Sequence, residues 1–566
     1  MGKKQQEKQL RAPAVSVRPL WWFLFLTPFA FGMYHEFTSC LASVFLGGYC
    51  LVFAHRQKQL RFRLSVESVA VTLIVFGYLF ASFWAVDSGM AWTGFLKFFP
   101  LLPFWYLWTQ LESDQRREMF SSIPLSGIVM TLLSYPARWI PSLEPFFFAS
   151  DRLGGFFQYS NSFALFLLLG IIVLAFDGHK LWQRLIGMAV LLFGILATGS
   201  RTVFFVLIAV VLTLCIGNRK IRWPLLGVTA GLVVISVLVV VMTGNTQTVG
   251  RFLTTSLSSS TLLGRFLYYL DALPVIARHP FGLGYLGYFY MQPEFQTGVY
   301  VVRYIHNEYL QLFLDIGWIP AVGFIAALVK SFFSRKNDFF RRVLMAAIGF
   351  HIFFDFDLQY LSVYFVLLMA LDCESGKEKQ FALKRAVQYA MAGITCVLSG
   401  VFLYFSYALF AAYRGDHEKA VELYPQHTES QVVLLAEAPT PKRAEILADQ
   451  ILEQNPYVPL AYDAKALISV MNGDYASMIA YKDRSIGIAR YTAYEYVDYY
   501  NLLRRALEAC EHAGDSTGAA LCREKLKALP GIMQAVEDGT SSLAWKIDDK
   551  PALTLPDEAL NYIAEL

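Results

Sequence analysis

Between residues 20 and 412 the chain alternates long apolar runs with short polar breaks. An α-helix rises about 1.5 Å per residue and the bilayer hydrocarbon is about 30 Å thick, so roughly 20 apolar residues cross it. Runs of this kind lie at 20–37, 38–54, 66–86, 91–110, 119–138, 157–177, 183–199, 201–217, 223–243, 306–330, 342–357, 359–372 and 386–412. They predict twelve or thirteen spans, depending on how the first pair is divided. Past residue 412 the pattern changes. Apolar residues recur at helical spacing among charged ones, as at Leu447, Ile451 and Leu452. Gly415-Asp416, Gly473-Asp474 and Gly514-Asp515 read as turns, and Asn455-Pro456 ends a helix. The expected fold class is all-α, a polytopic membrane helix bundle followed by a soluble helical-repeat domain. The bundle takes residues 1–412, with a large loop at 244–305, and the soluble domain takes 413–566.

Composition agrees with two solvents. Apolar residues make up 56% of the 566 and charged residues 16%, against about 45–50% and about 25% in ordinary soluble proteins. The net charge of +4 comes with no dense basic tract, which sets nucleic acid aside. The N-terminus carries Lys3, Lys4, Lys8, Arg11 and Arg18 and runs into continuous apolar sequence without a small-residue cleavage site. It is expected to be a first membrane helix rather than a removed leader.

Basic residues mark cytoplasmic loops. With the N-terminus inside, each alternate loop is basic: Arg56, Lys58, Arg61 and Arg63; Arg116 and Arg117; Lys180 and Arg184; Arg219, Lys220 and Arg222. Lys330, Arg335, Lys336, Arg341 and Arg342 follow, then Lys377, Lys379, Lys384 and Arg385. An odd number of spans puts 413–566 outside. The outer loops hold Arg138, Arg152, Arg201, Arg251, Arg265, Arg278 and Arg303 and no lysine. Guanidinium grips phosphate or carboxylate through a rigid fork, which an ammonium cannot do. As a set, these arginines point to an anionic ligand. Each one alone also fits a lipid headgroup or a structural ion pair.

Five short motifs fall on that outer side, spread over almost 160 residues. Asp151-Arg152-Leu153-Gly154-Gly155 leads into Asn161-Ser162-Phe163-Ala164, and Thr198-Gly199-Ser200-Arg201 sits on a turn. Gly264-Arg265-Phe266 opens an amphipathic stretch through Leu267, Leu270 and Leu273, with Tyr268 and Tyr269, expected along the membrane interface. His279-Pro280-Phe281-Gly282-Leu283-Gly284 follows, and Arg303-Tyr304-Ile305-His306-Asn307-Glu308-Tyr309 begins the next span. In this order the motifs resemble those of the O-antigen ligase and polymerase superfamily of bacterial membrane glycosyltransferases. The likeness covers residues 150–330, and the earlier helices by hydropathy only.

That resemblance implies a transmembrane glycosyltransferase in the cytoplasmic membrane, working at its outer face. The donor would be a glycan on a polyprenyl pyrophosphate, and the acceptor a hydroxyl on a glycan, a lipid or a protein. His306, Arg265 and Arg201 match the family's functional positions and are the expected catalytic residues. Arg152, Asn161, Arg278, Arg303 and Asn307 are the expected substrate-binding residues. No metal and no cofactor is implied, arginine taking the metal's part. Physical chemistry fits these roles. Paired arginines stabilise charge developing on a pyrophosphate leaving group, and a neutral imidazole takes a hydroxyl proton near pH 7. His306 alone also reads as a helix-start cap. The competing classes are a transporter or flippase for the same lipid-linked glycan and a non-catalytic assembly scaffold. No pair of related halves marks a transporter.

Other signals are less pointed. Gly282-Leu283-Gly284-Tyr285-Leu286-Gly287 fits a dinucleotide pattern but follows no strand, and reads as a turn that lets backbone approach a ligand. Asp355-Phe356-Asp357 fits a cation-holding pair, or a helix-end ion pair with His351, four residues before Asp355. Lys97 is an intramembrane charge, either functional or snorkelling to headgroups. Cys510 and Cys522 are two buried thiols or a disulfide across a helical hairpin. The domain after 412 looks tetratricopeptide-like, with Tyr491, Tyr494, Tyr496, Tyr499 and Tyr500 as repeat packing or a sugar platform. It is expected to bind the acceptor, a partner protein or wall polymer.

Overall fold

The computed structural model describes residues 16–217, the short pieces 222–223, 226–227 and 230–231, and residues 260–566. Most of the expected span at 223–243, the loop from 244 to 259, and Arg251, Arg219 and Lys220 lie outside them. The described chain is almost wholly helical, a membrane helix bundle joined to a second set of helices. Among the described residues, five helices are long and apolar enough to cross a membrane: Glu36–Gln57, Val66–Trp84, Ser113–Trp139, Leu181–Thr198 and Arg385–Tyr413. Ser160–Phe176, Arg201–Ile216, Trp318–Phe333 and Leu361–Ala370 are apolar but shorter.

Several expected spans are broken, each for a local reason. The run at 91–110 divides into Ser88–Phe98 and Leu101–Gln110 at Pro100, which has no N–H to continue the ladder. The run at 306–330 divides at Gly317, whose φ of 82° and ψ of −172° only glycine adopts freely. A Cβ there would lie 2.4 Å from Pro280 O. The Gly282–Gly284 turn fills this break: Leu283 N donates to Leu314 O (2.6 Å) and Gly284 N to Asp315 O (3.0 Å). A Cβ on Gly282 would meet Asp315 O at 2.5 Å. These glycines therefore let backbone approach backbone, where a ligand was expected.

Ser160–Phe176 and Leu361–Ala370 form the centre. They are apolar all round and buried along nearly their whole length. Glu36–Gln57 is 22 residues long, about 33 Å end to end. At its far end Gln59–Leu64 pairs antiparallel with Lys377–Ala382, joining two basic loops 300 residues apart in a two-stranded ribbon that periodicity did not signal. Arg385–Tyr413 packs along Glu36–Gln57 and returns to its near end, where Ser406 Oγ donates to Phe37 O (2.9 Å). The helices after 413 thus sit at the end of the bundle that holds Glu36.

Those helices follow the expected punctuation. Gly415, Gly473 and Gly514 are left-handed (φ 83°, 72° and 73°). Asp416, Asp474 and Asp515 then cap the next helices, accepting from Lys419 N, Ser477 N and Gly518 N. Leu434, Leu447 and Ile451 join the bundle's core, while Tyr496, Tyr499, Tyr500, Leu503, Cys510 and Cys522 build a separate one. Tyr494 is 72% exposed and stands outside it. Cys510 and Cys522 are free buried thiols, and burial pushes Cys522 up to about 12.

The junction between the two parts is polar and close. Asp87 accepts from Met90 N (2.7 Å), Thr428 Oγ1 (3.0 Å) and Asn455 Nδ2 (2.8 Å). Gly89 leaves room for the contact, since a Cβ there would fall 2.0 Å from Gln426 O. The Tyr424 hydroxyl donates to Gly89 O. Burial pushes the Asp87 carboxyl up to about 6.

Candidate active site

Five segments meet at the Glu36 end of the bundle, and Asp355 is where they converge. Its carboxylate is fully buried, so it must be paired or hydrogen-bonded there. Oδ1 accepts from Tyr159 OH (2.9 Å) and from Phe356 N (3.0 Å), and lies 3.2 Å from His306 Nδ1. Oδ2 accepts from Asn161 Nδ2 (2.7 Å) and Arg265 NH2 (3.5 Å). With Asp355 ionised, Nδ1 of His306 carries the proton and Nε2 keeps its lone pair.

Each side chain arrives by a local device. Arg152 comes from a small hairpin in which Phe148–Ala149 pairs with Arg152–Leu153. Its two turn residues, Ser150 and Asp151, both have positive φ (48° and 62°), as a tight primed turn requires. Arg152 Nε donates to Thr198 O (2.8 Å) and NH2 to Asn161 Oδ1 (2.7 Å). The first of these bonds seats the Thr198-Gly199-Ser200-Arg201 turn beside the cluster. Gly199, left-handed at φ 59°, ends one helix, and Arg201 begins the next. Arg201 is half-buried and has no ion-pair or hydrogen-bond partner among the described residues.

Arg265 lies in the first turns of Ser260–Arg278. On that helix Leu267 is buried whereas Phe266, Leu270 and Leu273 form an exposed apolar stripe, so the bundle contact is made by the opposite face, including Tyr269 and Asp271. Tyr269 OH donates to His306 O (2.6 Å) and lies 3.1 Å from Phe353 O, tying the helix to both halves of the His306–Asp355 pair. His306 itself is left-handed, φ 58°, a conformation uncommon outside glycine and one that collects at functional sites.

Among the expected residues, the structure gathers His306, Arg265, Arg152 and Asn161 around Asp355, with Arg201 on the adjoining turn. The others lie elsewhere. Asn307 is buried, and its Oδ1 caps the Glu308–Ile316 helix by accepting from Leu310 N (3.1 Å). The cap role considered for His306 belongs to this neighbour. Arg303 pairs with Glu429 of the C-terminal helices (2.6 Å). Arg278 is exposed at the far end of the Ser260–Arg278 helix, about 20 Å along the axis from Arg265.

Sequence reasoning underrated Asp355 and did not single out Tyr159. The Phe339–His351 helix ends at His351, so helical spacing to Asp355 does not apply. His351 Nδ1 instead meets Asp357 Oδ2 at 2.5 Å, and Ser162 Oγ donates to Asp357 Oδ1 (2.7 Å). The available signal was a pair of aspartates in an apolar corner, which obliges each to find a partner. Lys97 does not snorkel. It is fully buried, with Nζ 3.7 Å from Glu36 Oε1 and donating to Tyr285 OH (3.0 Å) and Tyr304 OH (3.4 Å).

No curated protein and no solved structure matches the chain. Residues 186–325, the stretch that carries Arg201, Arg265, Arg303 and His306, match the family model of the O-antigen ligases, and with the apolar helices this match supports a multi-pass bacterial membrane protein with a glycan-transferring role of ligase or polymerase type.

Proposed function

We propose that this protein transfers a glycan from a polyprenyl pyrophosphate to an acceptor hydroxyl at the outer face of the cytoplasmic membrane. The observation that carries the reading is the His306–Asp355 pair, 3.2 Å apart, with Arg265 on the same carboxylate and Arg152 linked to it through Asn161. His306 Nε2 takes the proton of the acceptor hydroxyl as its oxygen attacks the anomeric carbon. The bond from that carbon to the phosphate oxygen breaks, and the polyprenyl pyrophosphate leaves with the electron pair. Asp355 fixes the imidazole tautomer and stabilises the imidazolium that forms.

Among the described residues, Arg201 and Arg265 against the one Asp355 carboxylate leave positive charge in excess, which suits an anionic pyrophosphate. Arg201 and Arg265 keep N–H donors free, among the described residues, for the leaving oxygen, where charge develops. A base of this kind contributes about 10²–10⁴-fold, and one preorganised donor about 10²–10³-fold. The outer face is supported by arginine without lysine in the membrane-domain loops at this end and basic loops at the other. We read the helices after 413 as a tetratricopeptide-like unit that presents the acceptor or a partner protein.

The test is mass spectrometry of lipid-linked glycans in cells lacking the protein, complemented with wild type, His306→Ala or Asp355→Asn. Wild type alone should clear the accumulated donor. Accumulated single repeat units identify a polymerase, and accumulated long chains on lipid identify a ligase. Full complementation by both variants sinks the assignment.

A further inference from the structure

Beside the arginines, the site continues from His306 as a row of rings. His306 lies 5.0 Å from Phe356, Phe356 5.3 Å from Tyr304, and Tyr304 6.2 Å from Tyr34, centroid to centroid. Each step is about the size of a sugar ring. Tyr34 and Phe356 are partly exposed, while Tyr304 beneath them is buried. The row ends on the buried Lys97, whose ammonium sits 4.7 Å from the Tyr34 ring centre. Glu36 closes it: Oε1 accepts from Tyr285 OH (2.6 Å) and faces Lys97, and Oε2 has no side-chain partner among the described residues. The Arg303–Glu429 pair forms the lip on the C-terminal side.

A membrane-interface belt of aromatic residues would face lipid. These rings face inward, towards a buried charge, and buried ionisable groups inside a membrane bundle mark functional sites by default. The mixture is specific in kind. Ring faces pack against the C–H face of a pyranose, and a carboxylate and a guanidinium at the margin serve its equatorial hydroxyls. The arginines of the site are matched to a pyrophosphate, so the acceptor must reach His306 by other residues.

We propose that the floor from Phe356 to Tyr34, bordered by Glu36 and Arg303, is the acceptor subsite, and that it takes the hydroxyl-rich end of a saccharide. This assignment rests on the glycosyl-transfer reading above. One hydroxyl of the terminal sugar reaches His306 Nε2, and the rings behind it stack along the row.

The test uses full-length protein in lipid nanodiscs. The donor is lipid-linked glycan extracted from cells lacking the protein, and the acceptor is surface glycan extracted from wild-type cells. Tyr34→Ala should raise the KM for acceptor about tenfold, the loss of one aromatic contact, and leave the KM for donor unchanged, while Tyr34→Phe keeps both. Binding is read independently by saturation-transfer NMR of the same acceptor on His306→Ala protein, where sugar protons should saturate and the signal should fall in the His306→Ala/Tyr34→Ala double variant. An unmoved acceptor KM in an actively transferring Tyr34→Ala protein overturns the subsite alone, as does an NMR signal indifferent to Tyr34 or one given only by a peptide acceptor. Wild type that transfers nothing sinks the parent reading and the subsite with it.

Discussion

Two histidine–aspartate pairs stand on either side of one corner, and they differ in everything except composition. His306–Asp355 has a histidine 20% exposed, an Nε2 without a partner among the described residues, and Arg265 12% exposed beside it. His351–Asp357 is shut away, both side chains fully buried, with Ser162 on the remaining carboxylate oxygen and no partner for His351 Nε2 among the described residues. The first has an open proton acceptor and a supply of positive charge. The second is closed to solvent on both side chains. The comparison teaches that the residue pair alone does not mark a candidate site. Exposure on one side and arginines from three other segments do. The sealed pair instead holds the corner in place, together with Glu308, which accepts from Leu358 N (3.0 Å) and Gln359 Nε2 (3.3 Å).

The comparison can be broken at four places. The largest effect is expected at His306. His306→Ala should lower transfer about 10²–10⁴-fold with thermal stability near wild type, measured on the purified protein by donor turnover and a melting curve. Next is the sealed pair. His351→Ala or Asp357→Asn removes one partner of a buried pair and should cost about 3–5 kcal/mol of stability, read by thermal unfolding. If His351→Ala protein stays fully folded yet transfers nothing, the sealed pair belongs to the chemistry and the distinction collapses.

Third, Asp87 tests what a buried carboxylate does without a cation. Asp355 and Asp357 face arginine or histidine, whereas Asp87 receives neutral donors only, and burial raises it to about 6. A raised carboxyl favours the protonated folded form. The contribution of Asp87 to stability should therefore be fully present below pH 4 and be lost as pH rises from about 4 to about 6, by about 3 kcal/mol. Asp87→Asn should flatten this slope in melting curves across that range. The smallest effect concerns backbone. At φ 58° glycine is at ease and alanine is not, so His306→Gly should be about 1 kcal/mol more stable than His306→Ala, both being inactive.

Much of the fold was legible. The apolar runs named the bundle because helices that must bury backbone polar groups in lipid need long apolar sequence. The Gly-Asp pairs after 413 named their turns because a left-handed glycine and a capping aspartate are local chemistry. The breaks at Pro100 and Gly317 escaped, since the apolar pattern runs straight through them, and so did the ribbon of Gln59–Leu64 with Lys377–Ala382, which depends on a partner 300 residues away. In the site, Arg152, Asn161, Arg265 and His306 were visible in ordered motifs. Asn307 and Arg303 looked equal to them and were spent on a helix cap and an ion pair.

The sequence by itself determined the solvent of each region, the helices, their turns, and which residue types could handle an anion and a proton. Only the tertiary structure decided which histidine meets open space, which aspartate holds it, and that Lys97 pairs inward with Glu36. The reason is physical. Hydropathy and capping act within a few residues of the chain, whereas a buried carboxylate is satisfied by whatever the packing brings to it, here donors from residues 159, 161, 265 and 306.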